Sequence, residues 1–338
     1  MQLILNTYGA YLYKSGNLFA IKVGDEKKQI SPKKVQSIVI TTAATISTDA
    51  IQLAVEHNID ILLLDKFGNP YGRVWHGRLG STARIRRKQL EISTTEAGFG
   101  LGKDFIIRKL DNQINYLTTM RARRTKLSAE ITITINVLVT AKDKIKSLRG
   151  TADELRGNIM ALEGQAGKEY WSLVSLFLPD RFKFAGRSRN PARDEFNCLL
   201  NYAYGVLYGL VERACVLAGL DPYVGFIHTD HYAKTSLVFD IIEAYRIWAE
   251  ETVINLFARK KINRRLFDAL HNGLTLNKDG KVVLMTEFNE YLDATIRYSG
   301  RNIKRRDTTQ ADLHKLAGGL NPNRKNKDHA NIVHEMVI

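Results

Sequence analysis

Cysteine is scarce in this sequence. Two cysteines occur in 338 residues, and they form no C-x-x-C pair. This argues against a disulfide-built secreted domain and against a structural zinc ribbon. Cys198 and Cys215 fall on one predicted helix, where their separation of 17 residues spans about 25 Å, far beyond the reach of a disulfide.

Several catalytic templates are missing as well. The sequence contains no G-x-x-x-x-G-K-[ST] phosphate loop, no G-x-S-x-G nucleophile elbow, no H-E-x-x-H zinc motif and no dinucleotide-binding glycine fingerprint after a strand. ATP hydrolysis, serine hydrolysis and zincin chemistry therefore have no support.

Long apolar runs are also lacking. The longest apolar stretch, near residues 199–218, is interrupted by Glu212 and Arg213, so no segment supplies the roughly 20 apolar residues of a membrane span. The N-terminus has no basic region and too short an apolar core for a signal peptide. We expect a soluble, cytoplasmic protein that does not associate with membranes.

Positive charge, in contrast, is abundant. Fifty Lys and Arg residues stand against 35 Asp and Glu, which gives a formal net charge of +15 in a composition otherwise typical of globular proteins. Such an excess favours a polyanionic partner, either nucleic acid or, less often, an anionic membrane surface. Residues 1–78 contain nine basic and six acidic side chains, so most of the excess lies beyond them.

The pattern of apolar residues divides the chain into a strand-rich beginning and a helical remainder. Short runs rich in β-branched and aromatic residues predict a small β-rich N-terminal domain over 1–78, with one helix near 49–58. A linker and the start of the helical region follow at 79–90, and an all-α domain covers 91–317. The polar residues 318–338 are expected to form a disordered tail. The predicted fold class is α+β.

Four helices matter for the functional residues. Apolar spacing favours a helix over 129–148, although part of this segment alternates like a strand. Thr151 and Glu154 form a capping box that opens the next helix. Further helices are predicted over 194–218 and 236–260.

Two carboxylates stand out in the last of these helices. Asp240 and Glu243 are three residues apart, so both emerge on one helix face among apolar neighbours. Carboxylates in such a setting must be paired, hydrogen-bonded or bound to a cation. His228 precedes this helix, and Glu163 lies among small residues on another one; together they suit a divalent metal. The alternatives are a salt bridge to Arg246 with a core histidine, and a solvated Glu163.

Basic residues form several clusters in the helical part. Five such clusters occur, at 84–88, 121–126, 181–193, 259–265 and 301–306. On a chain of this charge they are better explained by phosphate contacts than by separate solvated faces. Arginine predominates, which suits bidentate phosphate binding. The residues predicted to bind DNA are Arg84, Arg86, Arg87, Arg187, Arg189, Arg193, Arg259, Lys260, Arg264, Arg265, Arg305 and Arg306.

At these residues the chain resembles the CRISPR adaptation endonuclease/integrase family, the universal protein of spacer acquisition. The resemblance covers roughly residues 1–315 and includes four motifs in the family's order. They are Ala50-Ile-Gln-Leu-Ala-Val-Glu56 with Asn58-Ile-Asp-Ile-Leu-Leu-Leu64; Leu162-Glu163-Gly-Gln-Ala166; Arg189, Pro191, Asp194 and Asn197; and Gly225-Phe-Ile-His228-Thr-Asp230 with Asp240-Ile-Ile-Glu243.

The resemblance implies a catalytic site and partners. Glu163, His228 and Glu243 match the family's three metal ligands, with Asp240 as an accessory acid, and the expected metal is Mg²⁺ or Mn²⁺. The family forms homodimers, here assigned to the N-terminal domain, and assembles with a small ferredoxin-like partner. Its substrates are double-stranded DNA fragments, the CRISPR repeat and branched DNA. It joins a 3′-hydroxyl to a repeat phosphodiester without ATP, because one phosphodiester replaces another.

Two other functions remain open. The chain could be a non-catalytic DNA-binding scaffold of the adaptation complex, in which case metal dependence would be absent. It could also be a related mobile-element integrase with the same fold, which would need no CRISPR repeat.

Overall fold

The structure is a computed structural model that describes residues 2–35, 37–57, 59–65, 70–74, 83–189, 191–228 and 234–320. A strand-rich N-terminal region is followed by a mostly helical one, which confirms the predicted α+β fold class. Residues 79–82 of the predicted linker segment, the motif residues Thr229 and Asp230, and residues 321–338 of the predicted tail lie outside the described residues.

The described N-terminal region forms two four-stranded sheets and one helix. The bounds are β1 Gln2–Leu5, β2 Ala10–Ser15, β3 Leu18–Val23, β4 Glu26–Ile30, β5 Ser37–Ile40, β6 Ala44–Ile46, α1 Thr48–Glu56, β7 Asp60–Leu64 and β8 Pro70–Val74. One sheet has the order β1-β5-β7-β8, in which the first three strands are parallel and β8 is antiparallel to β7. The other has the order β4-β3-β2-β6, with a parallel pair only between β2 and β6.

A shared apolar core explains why these short segments form sheets. Leu12, Phe19, Ile38 and Ile61 are completely buried and belong to one hydrophobic cluster. Burial of one face fixes the register of each strand, because a slip of one residue would turn its apolar side chains outward. Ser47 caps α1, since its hydroxyl accepts a hydrogen bond from the Ala50 amide at 3.2 Å.

The remainder of the described chain is mainly helical. The helices are α2 Ala83–Ser93, α3 Glu96–Arg123, α4 Ser128–Ser147, α5 Ala152–Leu176, α6 Glu195–Ala218, α7 Ser236–Ile242, α8 Arg246–Ala258, α9 Lys278–Asp293 and α10 Arg305–Leu320. Helix α4 confirms the helix predicted over 129–148, and the capping box of Thr151 and Glu154 opens α5. Within the described residues, no helix is long and apolar enough to cross a membrane. The expected cytoplasmic location stays a prediction.

Two helix boundaries differ from the sequence analysis. The helix predicted over 236–260 is interrupted by a 3₁₀ turn at Glu243–Tyr245, between α7 and α8. Helix α10 continues to Leu320, so the first three residues of the predicted disordered tail are helical.

The helical region also contains two β-hairpins that the sequence analysis did not predict. Their strands, of four residues each, are too short for a clear alternation of apolar and polar residues. The strands are β9 Phe267–Leu270 with β10 Gly273–Leu276, and β11 Thr295–Tyr298 with β12 Arg301–Lys304.

The chain separates into two compact units, each made of three segments. The first contains residues within Met1–Leu79, Ser188–Gly209 and Arg259–Tyr291; the second contains residues within Gly80–Arg187, Leu210–Ala258 and Leu292–Ile338. In the first unit α6 packs closely on β7, because a Cβ atom at Gly209 would lie 2.4 Å from Leu62 Cδ2. The boundaries predicted at residues 78 and 91, and the roles given to those domains, stay predictions.

Candidate functional site

Two carboxylates from distant parts of the second unit meet around one lysine. Glu163 lies on α5 and Glu243 begins the 3₁₀ turn, about 80 residues further along the chain. The Lys109 ammonium, on α3, forms ion pairs with Glu163 Oε1 and, at 2.8 Å, with Glu243 Oε2. The fold therefore directs both carboxylates at a single cation.

Arg246 completes this group of charges. Its Nε and Nη2 atoms both lie 2.7 Å from Glu243 Oε1. The two oxygens of Glu243 therefore contact different cations, Oε1 the guanidinium and Oε2 the ammonium. The salt bridge between Glu243 and Arg246, considered above as the alternative to a metal site, is present in the structure. We call Lys109, Glu163, Glu243 and Arg246 the cation-sharing cluster.

Electrostatics keep this cluster charged although it is largely buried. Only 4% of Glu243 is exposed. Burial by itself would raise the pKa of Glu243, but the neighbouring charges of Arg246 and Lys109 outweigh it and lower this pKa to about 2. Burial would likewise lower the pKa of Lys109, and the charges of Glu243 and Glu163 instead raise it well above its ordinary value. Glu243 is thus a carboxylate, and Lys109 an ammonium, at neutral pH.

His228 and Asp240 form a second group in the same unit. Asp240 Oδ1 accepts hydrogen bonds from the His228 amide at 3.0 Å and lies 2.7 Å from His228 Nδ1. Asp240 Oδ2 accepts from the amides of Phe226 and Ile227 at 2.6 and 3.2 Å. With all these partners and only 2% exposure, Asp240 holds the loop and the imidazole in place.

Close backbone packing supports the same loop. A Cβ atom at Gly225 would lie 3.1 Å from Asp240 Oδ2, and one at Gly102 would lie 2.7 Å from Ile227 Cγ1. Arg156, on α5, donates a hydrogen bond through Nε to the Ile227 carbonyl at 2.6 Å. The helix that carries Glu163 therefore also anchors the loop that carries His228.

The four predicted site residues thus form two pairs, Glu163 with Glu243 and His228 with Asp240. Among the described residues, no three His, Cys, Asp or Glu side chains are arranged as a metal site. The donor set nevertheless fits a divalent ion: two carboxylates converge on one cation, and Asp240 engages His228 Nδ1, which leaves Nε2 as the ring nitrogen for a ligand bond.

Lys109 was missed by the sequence analysis, although the sequence contains a signal for it. Along α3 the buried positions recur at helical spacing and include Ile106, Leu110 and Gln113. Lys109 falls on this stripe, and a lysine on an apolar stripe needs a buried partner.

A further buried group lies beside the cation-sharing cluster. Asp312, on α10, accepts hydrogen bonds from Tyr245 Oη at 2.5 Å and from Tyr298 Oη, and it pairs with Arg108 Nη2 at 3.3 Å. Burial and the Asp312 charge raise the pKa values of both tyrosines well above the ordinary range. We call these four residues the Asp312 cluster.

The predicted DNA-binding residues lie mostly at the surface. Arg306 is the exception, because it is buried and its Nε lies 3.0 Å from Asp293 Oδ1, where it stabilises the start of α10. Arg86, Arg187 and Arg305 are partly buried. The exposed residues are Arg84, Arg87, Arg189, Arg193, Arg259, Lys260, Arg264 and Arg265.

Within the first unit, two of the basic sequence clusters come together. Ala192 forms a β-bridge with Leu274 of β10, and Arg264 Nε lies 3.5 Å from Glu195 Oε1. These contacts bring the segments that carry Arg193 and Arg264 close together, although 71 residues separate the two arginines.

Comparison with known proteins assigns the family. The family described as CRISPR associated protein Cas1 matches residues 3–290. The chain belongs to the Cas1 family. This confirms the resemblance seen in the sequence motifs.

Two curated relatives cover most of the chain. It is 31% identical over 319 residues to CRISPR-associated endonuclease Cas1 1 of Archaeoglobus fulgidus, covering 90% of this chain and 91% of the relative. It is 33% identical over 244 residues to CRISPR-associated endonuclease Cas1 2 of Saccharolobus solfataricus, covering 72% and 71%.

Solved structures share the fold. A casposase bound to its integration product aligns with a TM-score of 0.84 and 22% identity, over 97% of this chain and 92% of the casposase. A Cas1 protein of Thermotoga maritima aligns with a TM-score of 0.81 and 21% identity, over 97% and 99%.

Proposed function

We propose that this Cas1 family member is a metal-dependent DNA endonuclease/integrase of CRISPR adaptation. It joins the 3′-hydroxyl of a captured DNA fragment to a phosphodiester of the CRISPR repeat. The observation that carries the proposal is the convergence of Glu163 and Glu243 on a single cation. Two relatives that cover most of the chain are named as endonucleases, which supports the reaction class.

The ligands in this proposal are Glu163, Glu243 and His228, and the metal is Mg²⁺ or Mn²⁺. When bound, such an ion acts as a Lewis acid on phosphate oxygens and the attacking hydroxyl. The two glutamates offer carboxylate oxygens, and His228 offers Nε2. Asp240 acts as a positioning residue, since it fixes the ring of His228 through Nδ1.

The chemical step conserves the number of phosphodiester bonds. The 3′-hydroxyl oxygen forms a new bond to phosphorus and the existing P–O3′ bond of the repeat breaks. The hydroxyl proton passes to solvent, and the departing 3′-oxygen takes up a proton from solvent. No ATP is required. The exposed basic residues hold the DNA backbone, because arginine side chains bind phosphates bidentately.

The partners in this proposal are DNA, a second copy of the chain and a small ferredoxin-like protein. The DNA comprises double-stranded fragments, the CRISPR repeat and branched DNA. Structural neighbours include a chain of a Cas6-RT-Cas1–Cas2 complex, of which the alignment covers 35%, and a chain of a TtCas1-DNA complex. They support DNA and protein partners of this kind.

One observation favours a second candidate, a non-catalytic DNA-binding scaffold. Lys109 and Arg246 already neutralise both glutamates, so the cluster is electrostatically complete without a metal ion. A scaffold would bind DNA and its partners equally well in EDTA.

A strand-transfer assay tests the proposal. The purified protein is incubated with a labelled duplex bearing a 3′-hydroxyl and a supercoiled plasmid carrying a repeat, with Mg²⁺, Mn²⁺ or EDTA, with and without the small partner. We expect joining that requires metal and falls at least about 100-fold in Glu163→Gln and in Glu243→Gln, as for the loss of a charge-stabilising group, while DNA affinity changes little.

A matched control is Glu169→Gln, which removes an exposed carboxylate from the same helix as Glu163 and should leave joining unchanged. Joining in EDTA, or full activity of Glu243→Gln, would overturn the metal-dependent reaction. Tight DNA binding without joining would support the scaffold. Equal joining to plasmids with and without a repeat would instead support a mobile-element integrase.

A further inference from the structure

Lys109 takes the position of a cation between two acidic side chains, and nothing in the mechanism above uses it. We infer that Lys109 is an internal counter-ion that occupies the cation position shared by Glu163 and Glu243, and that a divalent metal ion must displace it. This inference rests on the proposed function, because it assumes that these two glutamates are metal ligands. The inference assigns Lys109 a role in setting the metal affinity of the site.

The geometry supports displacement rather than coexistence. Lys109 Nζ contacts Glu163 Oε1 and Glu243 Oε2, so one oxygen of each glutamate lies against the same ammonium. Divalent ions such as Mg²⁺ bind carboxylate oxygens at about 2.1 Å. An ion bound to these two oxygens would therefore lie next to the ammonium group and compete for the same lone pairs.

The balance of charge points the same way. Two carboxylates stand against the two cations Lys109 and Arg246, so the cluster is formally neutral. A divalent ion added beside both cations would leave a formal charge of +2 in a largely buried site, whereas departure of the lysine reduces this excess. Like charges at such short range repel strongly away from bulk water.

The two cations differ in how firmly they are held. Arg246 is three residues from Glu243 and makes two contacts to its Oε1, so its planar guanidinium is fixed by the local turn. Lys109 reaches the site from another helix through a flexible four-carbon stem that ends in a single ammonium. Arg246 can remain on Oε1 while Lys109 leaves Oε2, so Lys109 is the cation that exchanges.

The exchange explains how the site stays assembled without metal. A buried and a partly buried carboxylate with no cation between them would repel, which would separate α5 from the 3₁₀ turn. Lys109 prevents this, and in doing so it weakens metal binding, because the ion must first break two ion pairs.

The test measures Mn²⁺ binding to the full-length protein without DNA, by calorimetry and by the electron paramagnetic resonance signal of unbound Mn²⁺. In Lys109→Met, which keeps an unbranched side chain one atom shorter and removes the charged ammonium, we expect Mn²⁺ to bind at least 10-fold more tightly than in the wild type. The melting temperature in EDTA should fall, and its increase on adding Mn²⁺ should be larger than in the wild type.

Two variants control for charge and for the loss of an ion pair. Lys109→Arg keeps a cation in the cluster and should bind Mn²⁺ about as weakly as the wild type. Lys142→Met removes a lysine that pairs with Asp111 at 2.7 Å between α3 and α4, and it should leave Mn²⁺ affinity unchanged. If Lys109→Met does not fold in EDTA, Lys109→Gln, whose amide can still donate to the carboxylates, replaces it.

The outcomes separate this inference from the metal site itself. Suppose that the wild type binds Mn²⁺ and Glu243→Gln does not, but Lys109→Met and Lys109→Gln bind Mn²⁺ no more tightly than the wild type. The metal site then stands, and the displacement is wrong. If neither the wild type nor the Lys109 variants bind Mn²⁺, both the metal site and the displacement are wrong.

Discussion

The cation-sharing cluster and the Asp312 cluster are both buried groups of charges, yet they are organised in opposite ways. They start from adjacent residues of α3, Lys109 and Arg108. In the first cluster two carboxylates share one ammonium. In the second, one carboxylate receives a guanidinium and two hydroxyl groups. The first arrangement leaves a cation that another cation can replace, and the second leaves nothing to exchange.

This difference shows what distinguishes a candidate site from a structural ion pair. Burial of charge is common to both clusters, and both perturb the pKa values of their members. Only the first has an excess of acidic oxygens around one point, which is the property that a divalent cation requires. Convergence of carboxylates, rather than burial alone, is therefore the useful criterion.

The largest effect that we expect tests the structural cluster. Asp312→Ala leaves the Arg108 guanidinium buried without its carboxylate, and breaking such a pair costs about 3–5 kcal/mol. Urea unfolding monitored by circular dichroism measures this loss. The loss should be the same in EDTA and in Mn²⁺, whereas the stability of Lys109→Met should depend on metal. A metal-dependent loss in Asp312→Ala would remove the distinction between the clusters.

The two clusters should also limit stability at opposite ends of the pH range. The pKa of Glu243 is lowered from 4.5 to about 2 in the folded protein. Its ionised form therefore stabilises the fold above pH 4.5, by about 3 kcal/mol, and this contribution is lost as the pH falls towards 2. The free energy of unfolding, measured between pH 6 and 2, should therefore fall with pH in the wild type. This acid slope should be absent in Glu243→Gln.

At alkaline pH it is the tyrosines of the Asp312 cluster that lower the stability of the fold. Their raised pKa values mean that the unfolded chain releases these protons first, so stability falls as the pH rises above the ordinary tyrosine value of about 10. In Tyr298→Phe the free energy of unfolding should fall less steeply above pH 10, while its acid slope should be unchanged. An unchanged alkaline slope in Tyr298→Phe would contradict the placement of its hydroxyl on Asp312.

The smallest expected effect concerns Asp240, a carboxylate with filled hydrogen bonds that nevertheless adjoins the candidate site. Asp240→Asn replaces one acceptor oxygen with a donor and loosens both the loop and His228. Loss of such a supporting group typically costs about 10–100-fold in metal affinity or activity. Mn²⁺ binding should weaken by this factor while DNA affinity is kept. If Mn²⁺ affinity is unchanged, Asp240 supports only the loop.

Much of the local structure could be predicted from the sequence. The apolar spacing predicted α4, the capping box of Thr151 and Glu154 marked the start of α5, and short β-branched runs indicated the N-terminal sheets. These features depend on residues close together in the chain, so periodicity and turn chemistry report them directly. The 3₁₀ turn at Glu243 was missed, because apolar residues continue through it without a helix breaker such as proline or glycine.

The acidic residues and His228 could be proposed for the candidate site from the sequence, but Lys109 could not. Glu163 and Glu243 could be identified by resemblance to a family, and the pattern around Asp240 showed that its charge needs a partner. Two of the partners were not predictable, because nothing in the sequence places Lys109 between two glutamates or Arg108 beside Asp312. Such pairings depend on which helix faces meet, and 54 residues separate Lys109 from Glu163.

The sequence by itself determined the α+β fold class, the excess of positive charge, the membership of the Cas1 family and the choice of Glu163, Asp240 and Glu243 as candidates for the site. Each of these follows from composition, local spacing or ordered motifs. Only the tertiary structure decided that Asp240 holds His228, that Glu163 and Glu243 share Lys109, and that Arg306 is buried. These depend on contacts between elements far apart in the chain, where packing and electrostatics select one partner among many of similar chemistry.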